Sequence, residues 1–156
     1  VRRVAILVAT VLGIGYLPGL PATWASFATA LVFLPFREQL TPLPLLLLLL
    51  VVTPIAVAAS HEAEKTLGHD ARPIVIDEVA GMLVGAIGLR HPAGMAGVAE
   101  LLLLFGLFRF FDILKPWPVG RSQALPGGFG VVVDDLLAGV YTAAAVWLLS
   151  GWLLHR

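Results

Sequence analysis

The sequence predicts an all-α fold: a polytopic bundle of membrane helices carrying a polar site at one membrane edge. Three observations predict it. Hydrophobic residues make up 59% of the chain and charged ones 13%, against about 45–50% and about 25% in soluble domains. Apolar runs recur at lengths suited to crossing roughly 30 Å of hydrocarbon. Ionisable residues gather where those runs end. The 156 residues suit one domain, 1–156. Formal net charge is zero and the arginines are scattered, so no nucleic-acid partner is expected. The chain has no cysteine, which removes disulfides and thiolate nucleophiles.

The elements follow in order. Arg2-Arg3 before an apolar run resembles the start of a signal peptide, but no clear cleavage site follows, so the run is expected to stay. Val4 to Tyr16 would give roughly 20 Å of helix, too short for a full crossing, so it reads as a short tilted span or a re-entrant segment. Gly13, Gly15, Pro18, Gly19 and Pro21 break the chain there. Thr23 is expected at a helix start, as an N-cap or facing substrate, with Trp24 to Phe36 following. Arg37-Glu38-Gln39 marks a polar turn. Leu43 to Ala59, with six consecutive leucines, is the clearest spanning helix, kinked at Pro54.

The segment from His61 to Asp70 is the most polar. If the helix continues, His61, Glu64 and Lys65 share a face, and Gly68 stops it. His61 and Glu64 are candidates to stand behind the site. Asp77-Glu78 interrupts the next apolar run, leading a helix over 79–89. Gly81 and Gly85 give that helix a face others can approach closely. Arg90-His91-Pro92 makes a turn. Glu100 is expected as an exposed interface residue opening the helix 101–114. Residues 115–130 read as a loop, and Val131 to Leu154 as the last span, with Asp134 and Asp135 in its first turns. His155 and Arg156 follow.

The chemistry centres on Phe108 to Val119. Arg109, Asp112 and Lys115 stand three residues apart, on roughly one helix face, before Pro116 and Pro118 end the helix. Charges at such an apolar edge are costly unless paired or bound. If loops 60–78 and 115–130 share a side, this stripe meets Asp77, Glu78, Asp134 and Asp135. Lys65, Arg72, Lys115 and Arg121 outnumber Arg37 and Arg90, placing that side in the cytoplasm. So many carboxylates call for a cation, and oxygen ligands beside a phosphate suit Mg²⁺. Arg109 and Lys115 supply donors for that phosphate. The residues describe a Mg²⁺-dependent enzyme acting on a phosphate at the membrane surface. Direct attack by water is favoured, with an aspartyl-phosphate as the alternative.

Ile74 to Gly81, Phe108 to Pro118, with its Lys115-Pro116-Trp117-Pro118, and Gly127 to Gly139 resemble the motifs of bacterial phosphatidylglycerophosphatase A, in order along nearly the whole chain. The resemblance implies a multi-pass inner-membrane lipid phosphatase that uses Mg²⁺ and faces the cytoplasm. It would remove the terminal phosphate of phosphatidylglycerophosphate, giving phosphatidylglycerol on the route to cardiolipin. Its catalytic residues would be Asp77, Glu78, Asp112, Asp134 and Asp135, with Asp77, Glu78, Asp134 and Asp135 on the metal. Arg109, Lys115 and Thr23 would hold the phosphate. Two departures stand out: Ala22 and Ala25 replace the family's glycines around Thr23, and His69-Asp70 stands where lysine-aspartate is usual. A small ion or proton-coupled transporter is an alternative, as is a CDP-alcohol phosphotransferase. The latter's run of spaced aspartates and glycines is not visible. Oligomeric state and acyl preference are not legible.

Overall fold

The computed structural model describes residues 2–90 and 93–153. His91 and Pro92 of the expected turn, and Leu154, His155 and Arg156, lie outside them. Among the described residues there are seven α-helices and no strand. They are α1 (Arg2–Ala9), α2 (Pro21–Phe33), α3 (Pro42–Leu67), α4 (Ile76–Ala86), α5 (Gly94–Leu114), α6 (Val119–Ser122) and α7 (Gly128–Leu153). By length and composition, α3 and α7 are apolar enough to cross a membrane.

The surface supports that reading. Leu43, Leu46, Leu47 and Leu50 on α3, Leu102 and Ile113 on α5, and Trp147 and Leu148 on α7 are exposed. Glu78, Glu100, Asp134 and Asp135 are buried. Apolar side chains outside and carboxylates inside suit a lipid solvent, where a charge must turn to the bundle interior.

Helix α4 is the axis of the bundle. It packs against α2, α3, α5 and α7, and Ala80, Met82, Leu83 and Ala86 are buried along it. Its small residues set the spacing. A Cβ on Gly81 would fall 2.5 Å from the Phe108 ring and 2.7 Å from the Asp135 carbonyl oxygen. The approach expected at Gly81 and Gly85 is thus the contact that joins α4 to α5 and α7.

Several sequence expectations shift. The first apolar run forms only an eight-residue helix, α1, about 12 Å long, before left-handed Val11 and Leu12 turn the chain. It packs beside the far end of α3, with Ala9 against Ala59 and Ala63. The run therefore does not span. Thr23 is not the N-cap: α2 begins at Pro21, whose fixed φ suits a first helical position. Both alanines around Thr23 are helical, so no left-handed backbone is demanded and only small size matters. Helix α4 begins at Ile76, which brings Asp77 and Glu78 into its first turn. Conversely, α7 begins at Gly128, leaving Asp134 and Asp135 beyond the first turn where the helix dipole acts.

Glu100 differs most. Expected at the surface, it is 1% exposed and accepts the Arg90 backbone N–H at 3.0 Å. The cause is an earlier start for α5, at Gly94, which turns Glu100 against the chain leaving α4.

Candidate active site

The ends of five elements meet around one cavity of ≈ 290 Å³. The start of α2 contributes Pro21 and Thr23; the α3–α4 loop contributes Asp70 and Arg72; the first turn of α4 gives Asp77 and Glu78. From the end of α5 come Arg109 and Asp112, followed by Lys115, and from α7 come Asp134 and Asp135. The two acidic pairs and the charged stripe, separated in sequence, therefore share one space. Thr23, Arg109 and Lys115 all line it.

Within the cavity the charges divide into two groups. The first centres on Glu78. Arg109 Nη1 donates to both Glu78 carboxylate oxygens at 2.7 Å and reaches Asp112 Oδ2 at 2.9 Å. Ser26 Oγ donates to Glu78 Oε2 at 2.5 Å. Glu78 is thus held by an arginine and a hydroxyl.

The second group is open. Carboxylate oxygens of Asp112, Asp134 and Asp135 lie within 4.8 Å of one another. Lys115 Nζ donates to Asp134 Oδ2 at 2.7 Å. Asp134 Oδ1, Asp135 Oδ2 and Asp77 Oδ1 are buried without a hydrogen-bond partner. Buried polar atoms are normally satisfied, so three orphaned oxygens in one cavity require an explanation. Six carboxylates line the space against three cationic side chains, Arg72, Arg109 and Lys115. A bound cation would relieve both the repulsion and the missing partners, so this donor set fits a hard divalent ion.

Two groups at the rim show the balance of forces. Burial pushes the Asp70 carboxyl above its ordinary range, against the opposing pull of Lys115. Burial works against the Lys115 ammonium, but its bond to Asp134 and the neighbouring carboxylates outweigh this and raise its pKa. Lys115 itself is left-handed, φ 47°, at the end of α5, which turns its side chain back across the cavity toward α7.

His61 and Glu64 do not line the cavity. Helix α3 does continue past the apolar run, but Lys65 pairs with Glu62 rather than with Glu64. Glu64 Oε1 instead lies 2.6 Å from His69 Nδ1 and accepts the Asp70 backbone N–H at 3.1 Å. It orders the loop that presents Asp70. The His61 ring lies against Gly127, where an added Cβ would fall 2.5 Å from Nδ1.

Sequence reasoning missed three residues. Ser26 looked like an ordinary residue of an apolar helix, although its spacing from Thr23 puts the two on one face. Asp70 entered only as the end of the polar segment from His61 and as part of the His69-Asp70 departure. Arg72 entered only as a topogenic charge. Among the described residues it is the cavity's cation without an ion pair, since Arg109 and Lys115 are both engaged.

Comparison with known proteins agrees over almost the full length. A Haemophilus influenzae phosphatidylglycerophosphatase A is 30% identical over 150 residues, covering 95% of this chain and 90% of the relative. The Escherichia coli phosphatidylglycerophosphatase A is 34% identical over 149 residues, covering 92% and 82%. A Bacteroides thetaiotaomicron protein, provisionally named a phosphatidylinositol-3-phosphatase, is 30% identical over 155 residues, covering 93% and 95%. No solved structure matches. The profile of phosphatidylglycerophosphatase A matches residues 7–150, and with motifs, cavity and relatives in agreement, the chain belongs to the phosphatidylglycerophosphatase A family.

Proposed function

We propose that the protein hydrolyses the terminal phosphate monoester of phosphatidylglycerophosphate, giving phosphatidylglycerol and inorganic phosphate. The observation that carries this reading is the cavity lined both by Asp77, Asp134 and Asp135, each with a buried carboxylate oxygen lacking a partner, and by Arg72, which has no ion pair among the described residues. Family membership supports the substrate. The site belongs at the cytoplasmic face of a bacterial inner membrane, a reading supported by Lys65, Arg72, Lys115 and Arg121 on the side of the site outnumbering Arg37 and Arg90 on the other.

In this reading Asp112, Asp134 and Asp135 would hold Mg²⁺, with Asp77 lining the same cavity. When bound, the ion supplies charge neutralisation and an electrophilic partner for a phosphoryl oxygen. Arg72 pairs with the incoming phosphate, and Thr23 lines its path. Arg109 fixes Glu78 and Asp112, which joins α4 to α5 and holds the stripe in register. Lys115 orients Asp134. Asp77, which lines the cavity and has a buried carboxylate oxygen without a partner, accepts the proton of the attacking water. The phosphorus–oxygen bond to glycerol breaks, and the leaving oxygen takes a proton from solvent.

The test is phosphate release from phosphatidylglycerophosphate in detergent or liposomes, with phosphatidylinositol 3-phosphate assayed in parallel. Release from the first, abolished by EDTA and restored by Mg²⁺, is the expected result. Preference for the second lipid would move the substrate toward that of the Bacteroides relative's name. Full activity after rigorous metal removal would end the Mg²⁺ assignment. No release from any phospholipid, with ion flux across liposomes, would replace the enzyme by a transporter.

A further inference from the structure

The polar cavity continues into an apolar groove between α2 and α5. Gly19, Leu20 and Thr23 line both spaces. The nearer part of the groove has a volume of ≈ 450 Å³, and Trp24, Phe27 and Phe105 wall it. A smaller space of ≈ 80 Å³ follows, sharing Phe27 and Phe105 and reaching Leu34 and Val98. Phe27 and Phe105 meet edge to face, centroids 5.9 Å apart, between the two parts.

Helix periodicity aligns this groove with the site. On α2 and its C-cap residue Leu34, the positions Leu34, Ala30, Phe27 and Thr23 recur at three or four residues and form one stripe. On α5, Val98, Leu101 and Phe105 do the same, and the next turns of that stripe are Arg109 and Asp112. Both stripes thus lead from apolar side chains into the charged cavity. The length from Leu34 to Thr23 is about 16 Å, well beyond a short-chain lipid's tail. Phe27 and Leu31 open the groove to the exposed, apolar flank of the bundle.

We propose that this groove holds an acyl chain of the lipid whose phosphate monoester enters the polar cavity, a reading that rests on the proposed phosphatase function. A ligand filling both spaces needs an anionic head and an apolar tail in direct continuity. A peptide strand or helix does not suit it, because among the described residues only Thr23 and Trp24 bring polar side-chain atoms to the groove's walls, and the Trp24 indole N–H is already donated to the Pro18 carbonyl. The groove cannot draw on the hydrophobic effect, since the tail leaves a bilayer as apolar as the walls. Its contribution is positional: it fixes the chain so that the headgroup arrives in register with the carboxylates.

The experiment uses the full chain in mixed micelles, with long-chain phosphatidylglycerophosphate and its short-chain, water-soluble counterpart. Leu31→Trp fills the groove, Phe27→Ala removes a wall, and Leu50→Trp on the exposed face of α3 is the control. A misplaced chain should lower kcat/KM for the long-chain lipid about tenfold in both groove variants, with the short-chain lipid changed less than about twofold. The control should match wild type for both. Equal losses for the two lipids, or no loss for either, would overturn the proposal.

A second readout needs no turnover and separates this proposal from the phosphatase reading. A phosphatidic acid with a photoreactive acyl chain, and a diacylglycerol with the same chain, are cross-linked to the wild-type protein. Preferential labelling of α2 and α5 by the phosphate-bearing lipid supports the groove even if no phosphate is released. The same distribution from both lipids shows ordinary bilayer contact and overturns it.

Discussion

Glu100 and Asp135 are both deeply buried carboxylates, 1% and 3% exposed, yet the fold treats them in opposite ways. Glu100, near the start of α5, accepts the Arg90 backbone N–H, while the Arg90 guanidinium lies 5.0 Å above the Trp147 ring. That end of the bundle is a clasp between the chain leaving α4, α5 and α7. Asp135, in the cavity at the other end of α5, has an oxygen with no partner and stands beside Asp112 and Asp134. A buried carboxylate with hydrogen-bond partners recovers part of its desolvation cost, whereas one left without partners bears that cost in full. The difference identifies where the molecule keeps binding capacity at the expense of its own stability.

The sharpest way to break this comparison is Asp135→Asn. Turnover should fall about 10³-fold or more, the scale of losing a principal electrostatic contributor. Thermal stability should hold or rise in the metal-free protein, because an uncompensated buried charge has been removed. Steady-state kinetics and thermal unfolding in EDTA check both halves. Retained turnover with a lowered Tm would assign Asp135 to the same structural class as Glu100.

Arg109 links the two kinds of behaviour, being engaged by Glu78 and Asp112 yet lining the cavity. Arg109→Lys keeps the charge and loses the planar fork. Turnover should drop about tenfold and Tm should fall as well, since the α4–α5 contact depends on that geometry. A loss of turnover with an unchanged Tm would mean that Arg109 acts on substrate and not through Glu78.

Arg72 offers a smaller effect of a different kind. It is exposed at the cavity rim without an ion pair, so Arg72→Ala should leave Tm unchanged. If it meets the anionic lipid on entry, KM should rise about fivefold with kcat nearly constant. Raising salt should weaken the wild type toward the variant, because an exposed charge is screened. Equal KM values at all salt concentrations would remove Arg72 from substrate recognition.

The smallest kinetic effect is expected at Glu100. Glu100→Gln should leave kcat and KM at wild-type values while lowering stability by about 1 kcal/mol, the size of a weakened buried hydrogen bond. Lost turnover in a folded Glu100→Gln protein would erase the distinction between the two ends of α5.

What the sequence determined by itself was the solvent and the inventory. A mean hydropathy of +0.95 and charges confined to the ends of apolar runs are sufficient for a lipid-facing helical bundle, because hydrocarbon tolerates little else. The three-residue spacing of Arg109, Asp112 and Lys115 follows from helix geometry alone, and Gly81 and Gly85 already announced a close helix contact. Tertiary structure decided which charge meets which. Glu78 is adjacent to Asp77 in sequence but receives Arg109 and Ser26 from α5 and α2, while Asp112 joins Asp134 and Asp135 from α7. Ser26, Asp70 and Arg72 become legible only when α2 and the α3–α4 loop close over the cavity. Glu100 changes from surface to core once α5 starts at Gly94. Periodicity reports which face of a helix is apolar, but pairing between helices depends on their rotation and approach, and those are set by packing around the glycines of α4 rather than by any local pattern.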